Sequence, residues 1–468
     1  MLFNSLEFLF IFFPTVLAGY FILGRYFPNT YAKLWLIGAS LFFYGYWNIT
    51  YLPVIIISVL ANYLIATAQS QKKLSPKVGL PCAILFNLGL LGYYKYANFI
   101  VDTYTSLFSV SWQLETIELP LAISFFTFQQ IAYQVDMKQG KITDNNFIDY
   151  CLFVLFFPQL IAGPIVHHAG ILPQFKKSLS RVIKLENIAA GTTLFIIGLF
   201  KKVVLADTFK LWATGDYALH ATRSFLDAWL AILAYTMQVY FDFSGYSDMA
   251  IGAALCFNIV IPINFFSPYK AASIQDFWRR WHITLSVWLR DYLFIPLGGS
   301  RCSPPRAYGN ILITFLLGGL WHGAGWMFIF WGGLHGAALC INRFWARLNS
   351  ARLPVWLGWI ITFTFLCLSG VAFIASDMQG VFNIYSAALG SNGIGRWVHV
   401  RHELLICLAT VVLVCTMPNS TQIVFAKKDD TPVFTYGRAI AGSVAVFFTC
   451  MLIIWMENRV SEFFYFQF

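Results

Sequence analysis

One imidazole, His322, stands inside the run Gly318 to Trp326, which reads Gly-Gly-Leu-Trp-His-Gly-Ala-Gly-Trp. The run lies in a long apolar segment, where a titratable side chain is costly to keep and so marks a functional candidate. Histidine is the side chain whose unperturbed pKa lies near neutrality, which suits a general base. Gly319 and Gly323, on either side of Trp321, allow another backbone or a substrate chain to approach the ring. Taken alone, the Trp-His-Gly triplet equally fits a structural imidazole hydrogen-bonded to a neighbouring helix. The rest of the chain has to weigh the two.

The next chemistry upstream lies in Ser273 to Phe294. Ser273 with Asp276 three residues on is a capping-box pattern that predicts the start of a helix. Phe277, Trp281, Leu285, Trp288 and Tyr292 then recur as an apolar stripe, with Gln275, Arg279, His282, Ser286 and Arg290 opposite. Arg279 and Arg280 suit the steering of an anionic donor, such as the phosphates of coenzyme A or of a phosphopantetheine carrier. The plainer reading is an interfacial helix with a solvated basic face. His282 reads either as a structural hydrogen-bonder or as a second active-site imidazole.

Asp242 and Asp248 frame Phe-Ser-Gly-Tyr-Ser within an apolar run. Two acids in one span would suit a proton or cation path. Gly245 between them predicts a break between helices, and the acids are then read as caps of helix N-termini. Pro158, Gln159, Gly163 and Pro164 mark a broken segment and a cavity wall. Gly319 with Gly323, and Gly332 with Gly336 beside His335, are G-x-x-x-G pairs that predict close helix packing. His167 and His168 are adjacent and cannot share a helix face, so no metal pair is expected. The nine cysteines are scattered without C-x-x-C, which predicts neither a zinc site nor a disulfide framework. No P-loop, dinucleotide fingerprint or G-x-S-x-G elbow is present.

These residues need elements that can hold them at depth. Of 468 residues 59% are hydrophobic and 11% charged, which places the chain among multispanning membrane proteins. The net charge of +10 sits in short loops between apolar runs, so it reads as an orientation signal and not as nucleic-acid binding. The first apolar run lacks a basic leader and reads as a retained helix. Candidate spans are 6–24, 34–48, 52–68, 79–101, 119–135, 148–166, 189–207, 226–243, 245–262, 308–320, 326–342, 356–375, 403–417 and 437–456. Several are too short or too interrupted to cross alone, which predicts about 11 crossings plus re-entrant pieces. The loops carrying Lys72, Lys73 and Lys77, Lys138 and Lys141, Lys176 to Lys184, and Arg343 to Arg352 read as cytoplasmic, as does the amphipathic segment 266–307. Loops 102–118 and 376–395 are poor in Lys and Arg and read as extracytoplasmic. Segments 148–166 and 311–342 would enter and leave on the cytoplasmic face. Both termini, including a tail over 458–468, then lie outside, and residues 1–468 form one integral-membrane domain.

The motifs together resemble a known family. They are Ser124-Phe-Phe-Thr-Phe-Gln129, Phe156-Phe-Pro-Gln-Leu-Ile-Ala-Gly-Pro164, Gly198-Leu-Phe-Lys-Lys-Val203 and Phe241-Asp-Phe-Ser-Gly-Tyr-Ser-Asp248. With them go Ser273 to Ser286, Arg290 to Gly299 and Trp321-His-Gly323. The whole chain resembles the membrane-bound O-acyltransferases, in particular the bacterial alginate O-acetyltransferase branch. Relatives in that branch act on peptidoglycan and cellulose, and a cousin branch transfers D-alanine to teichoic acids. The resemblance implies an all-α ring of helices around a thinned centre, with a tunnel that reaches His322 as essential histidine and His282 as the second. It implies no bound cofactor, and acetyl-CoA or another acyl thioester as co-substrate. It further implies a bacterial inner-membrane location among lipids, a polysaccharide acceptor and a periplasmic SGNH-type partner. Phe463-Phe-Tyr-Phe-Gln-Phe468 resembles a tail whose tyrosine, here Tyr465, relays the acyl group; an aromatic membrane anchor is the alternative. Relatives often carry an arginine where this chain reads Val371-Ala-Phe-Ile-Ala-Ser-Asp377. Outside this class, a transporter or flippase with His322, Asp242 and Asp248 as a proton relay is the rival reading.

Overall fold

The computed structural model describes residues 1–112, 114–142, 145–176, 182–214, 224–348, 353–428, 431–433, 436–457 and 461–464. Its first half comprises α1 (Phe13–Tyr26), α2 (Asn29–Gly45), α3 (Leu52–Ser70), α4 (Pro76–Leu91), α5 (Ala97–Phe108), α6 (Ile123–Lys138), α7 (Phe147–Leu155), α8 (Phe157–Leu160), α9 (His168–Lys176), α10 (Leu185–Phe200) and α11 (Asp207–Thr214). The second half comprises α12 (Phe225–Cys256), α13 (Ile274–Trp278), α14 (Ile283–Leu289), α15 (Pro304–His322), α16 (Trp326–Arg347), α17 (Val355–Ile374), α18 (Met378–Ala388), α19 (Trp397–Thr416), α20 (Ser420–Val424) and α21 (Tyr436–Glu457). A small antiparallel pair, β1 (Ala426–Lys428) and β2 (Thr431–Val433), forms the one sheet among the described residues.

Helix is the form in which an apolar segment satisfies its own backbone at membrane depth. Among the described residues six helical stretches are long and apolar enough to cross: Phe8–Tyr26, Ile49–Ser70, Pro76–Phe108, Leu185–Ala213, Val355–Ile374 and Trp397–Thr416. Ile11, Leu64, Leu85, Ile100 and Val355 are each more than half exposed, as lipid-facing positions must be. The Pro158 region is interrupted as expected, with α7 ending at Leu155 and α8 starting at Phe157.

The predicted break at Gly245 does not exist. Spans 226–243 and 245–262 merge into the 32-residue α12, most of it buried. Gly245 is a packing residue instead: a Cβ there would lie 2.8 Å from the carbonyl oxygen of Gly198, and one on Gly198 would lie 2.5 Å from that of Gly245. Gly191 and Gly252 repeat the arrangement, so α10 and α12 run backbone against backbone.

The G-x-x-x-G expectation for α15 and α16 holds. The two form an antiparallel hairpin in which a Cβ on Gly319 would lie 2.2 Å from the carbonyl oxygen of Phe328, and one on Gly332 would lie 2.2 Å from that of Phe315. Gly333, on another face, has Leu316 no nearer than 3.5 Å. Gly332→Ala therefore forces the helices apart, at a cost of about 1–3 kcal/mol, whereas Gly333→Ala does not. Thermal unfolding of the two purified variants checks this; equal Tm values would contradict the packing.

The amphipathic segment is not one helix either. Ser273 does accept from the Asp276 N–H at 3.1 Å, but the helix it starts ends at Trp278, and the chain turns before α14. His282 takes a left-handed backbone, φ +42°. Asn264 explains the turn: its carbonyl accepts from Ile283 N–H at 3.0 Å, and its side-chain oxygen from the Thr284 hydroxyl at 2.9 Å. The loop that carries Asn264 thus competes successfully with the helix ladder.

Candidate functional site

His322 is the last residue of α15 and is buried. The helix stops there because Gly323 is extended, and the chain turns through Ala324 and Gly325 into α16. Three aromatic rings box the imidazole edge-on: Trp321 at 5.0 Å, Trp331 at 5.2 Å and Phe373 at 5.4 Å. His282, fully buried and not on a solvated face, reaches the same box from the other side of Trp321, at 6.2 Å. Its Nδ1 lies 3.1 Å from the side-chain oxygen of Asn264, and Phe243 packs on it at 4.7 Å. The two histidines and Trp321 are therefore brought together. His335 joins the stack through Trp331, at 4.5 Å, with Nε2 3.1 Å from the Ser369 hydroxyl.

Two residues that the sequence reading passed over fix the end of α15. The buried Lys95 ammonium donates to the carbonyl oxygens of Trp321 at 2.5 Å and His322 at 3.4 Å, and to the Ser124 hydroxyl at 3.2 Å. Tyr96 donates to the carbonyl of Leu320 at 3.0 Å. A cation at a helix C-terminus satisfies carbonyls that have no partner within the helix and complements its dipole. The signal was available: Lys95 is the lone charge in the apolar run 79–101.

Cavities open on both sides of this box. On the side of the basic loops, a cavity of about 480 Å³ is lined by Arg279, Arg290 and Arg343, with Trp278 and Phe315 forming its inner wall. Arg280 is not among the lining residues and pairs with Asp276 at 3.0 Å. Arg290 pairs with its neighbour Asp291, and Arg343 donates to Ser300 at 2.9 Å. Arg343 was not singled out from the sequence because it reads there as an ordinary loop charge. At the other end of the α15–α16 hairpin, flanked by residues 376–378 where α17 passes into α18, lies a cavity of about 750 Å³. Phe328 and Phe373 line it, together with Gln238, Asp242 and the tip of the α15–α16 hairpin. Trp278 touches Trp331, and Trp331 and Phe373 touch His322, so single rings link the imidazole to the two cavities; His322 itself lines a third, small cavity of about 30 Å³ with Lys95, Ser124 and Trp321.

Asp242 and Asp248 do not cap helices. Asp242 receives Lys202 at 2.7 Å and Asp248 receives Lys201 at 2.6 Å, because the glycine contacts draw α10 and its continuation against α12. Both acids are thereby committed to lysines rather than to a relay with His322. His167 and His168 meet on one carboxylate: His168 lies 3.3 Å from Asp136, and the Tyr292 hydroxyl, 2.7 Å from Asp136, is 3.2 Å from His167. Among the described residues no three His, Cys, Asp or Glu side chains gather to hold a metal. Tyr465 lies outside the described residues; the preceding residues 461–464 fold back against α12.

Residues 81–387 match the MBOAT, membrane-bound O-acyltransferase, family pattern. The chain is 45% identical to the peptidoglycan O-acetyltransferase of Helicobacter pylori, over 84% of this chain and 81% of that one. It is 40% identical to the probable alginate O-acetylase AlgI of Pseudomonas aeruginosa, over 85% of this chain and 76% of that one. Similarity to the teichoic acid D-alanyltransferase of Bacillus subtilis is lower, 28% over 53% of this chain and 66% of that one.

Proposed function

The chain belongs to the membrane-bound O-acyltransferase family and is a multi-pass membrane acyltransferase, and from that premise we propose that it carries acetyl groups from a cytoplasmic thioester to hydroxyls of an extracytoplasmic cell-envelope polysaccharide. The observation that carries this reading is that one buried imidazole is linked through Trp331 and Trp278 to an arginine-lined cavity and through Phe373 to a second cavity at the other end of the α15–α16 hairpin. The donor is acetyl-CoA or a related carrier thioester, with Arg279 and Arg343 holding its phosphates. His322 takes the proton of the attacking hydroxyl as the oxygen adds to the thioester carbonyl. The carbon–sulfur bond then breaks, and the imidazolium returns the proton to the leaving thiolate. CoA, charged and large, never crosses. An acyl-imidazole at His322 is the covalent variant of the same route. Acetyl is favoured over D-alanyl because the two O-acetylating relatives are the more similar and match over more of the chain.

About 11 crossings around a thinned centre, in the bacterial inner membrane with both termini outside, complete this reading. Delivery to the polymer is direct or through a periplasmic SGNH-type partner, with Tyr465 as acyl relay. Purified protein in vesicles should release CoA from acetyl-CoA and label added polysaccharide or partner; a transporter would do neither. Tyr465→Phe keeps the ring and removes the hydroxyl. The relay predicts loss of polymer labelling with CoA release still detectable, whereas a membrane anchor predicts wild-type labelling.

A further inference from the structure

Lys202 is almost completely buried, and all three of its ammonium protons are used. They go to Asp242 at 2.7 Å, Asp207 at 2.9 Å and the carbonyl oxygen of Glu462 at 3.0 Å. The second oxygens of both carboxylates are also taken, and both by the same segment. The Ser461 hydroxyl donates to Asp207 at 2.6 Å, and the Phe464 N–H donates to Asp242 at 2.9 Å. Asn4 adds a bond to the Ser461 carbonyl at 3.2 Å. The Phe463 ring is buried between Tyr246, 4.5 Å away, and the Lys202 ammonium, 5.0 Å away. Without residues 461–464 the triad would keep one ammonium proton and two carboxylate oxygens unsatisfied at depth, which is expensive. The site is therefore built to receive a segment that presents, in chain order, a hydroxyl, a backbone acceptor, an aromatic ring and a backbone donor.

We propose that Lys202, Asp242 and Asp207 form a latch whose ligand is the chain's own C-terminal segment, and that the seated segment walls the larger cavity and positions acyl delivery there. Glu462 and Phe464 line that cavity, and Phe464 lies 6.1 Å from Phe373, one of the rings around His322. The seating rests on the contacts alone; its consequence for delivery rests on the acyltransfer reading above.

Hydrogen–deuterium exchange of the full chain in nanodiscs tests the latch. Lys202→Met should raise exchange in the peptide covering 461–464 by about tenfold or more, with α15 and α16 unchanged. The double variant Lys202→Met/Asp242→Leu should do the same while leaving no unpaired buried charge between the two positions, so it guards against misfolding of the single one. Wild-type protection of the tail in the double variant would overturn the latch. So would protection lost equally across α10 and α12, since those residues would then hold the fold and not the tail. The second readout is acetyl delivered to the acceptor per CoA released, which should fall in step with tail release. An unchanged ratio with a released tail removes the positioning role and leaves the latch. Absence of CoA release in wild type would fail the acyltransfer reading, with exchange still deciding the seating.

Discussion

His322→Ala is expected to lower acyl transfer by about 10²–10⁴-fold, the range set by loss of a general base, while the protein accumulates in the membrane at its normal level. The ring ends a helix whose termination is set by extended Gly323 and whose last carbonyls are held by Lys95 and Tyr96. None of those contacts uses the imidazole, so its removal leaves a gap among Trp321, Trp331 and Phe373 and not a displaced helix. His282→Ala should separate from it. That residue holds a left-handed turn against Asn264, so its loss should cost stability first and activity second, and Asn264→Ala should copy it. The measurement is polysaccharide acetylation at matched membrane abundance, with Tm alongside. Wild-type acetylation in His322→Ala would falsify the assignment of the base. Complete loss in His282→Ala with an unchanged Tm would raise that residue from a structural to a catalytic role.

What was legible beforehand divides along physical lines. The tryptophan–histidine–glycine run, the G-x-x-x-G pairs and the broken Pro158 segment could be read because each depends on residues close in sequence. The turn at His282 could not, since periodicity over 273–294 favours one helix and only Asn264, in a different stretch of chain, breaks it. Gly245 misled for the same reason. A glycine in a helix signals either a break or a close neighbour, and Gly198 decides for the neighbour. The lysine partners of Asp242 and Asp248 follow from that approach, so they were equally out of reach. Arg279 and Arg280 are adjacent and look alike in sequence. They part in space because Asp276, one turn back, holds Arg280 and leaves Arg279 to line the cavity.

Lys95→Met should bring the next largest loss, about 10²-fold in kcat, the scale expected when a catalytic group is misplaced by about 1 Å. Lys95 is 8% exposed, and its hydrogen-bond partners among the described residues are carbonyl and hydroxyl oxygens, none of them a carboxylate. Its removal therefore strands no buried anion, and a methionine fills a similar volume, so the fold should survive. What is lost is the restraint on the last turn of α15: the Trp321 and His322 carbonyls lose their common donor and the dipole its counter-charge. The imidazole is attached to that turn, so its aim loosens. Lys95 is not among the residues lining the arginine cavity, so the KM for the thioester should stay near wild type. Lys95→Arg, which keeps the charge and the donors, should recover part of the rate, whereas Lys95→Gln, uncharged and shorter, should recover less. A methionine variant with wild-type kcat would remove Lys95 from the site. A fall in kcat matched by a collapse in Tm and not relieved by arginine would make it a folding residue and leave His322 positioned by its aromatic box alone.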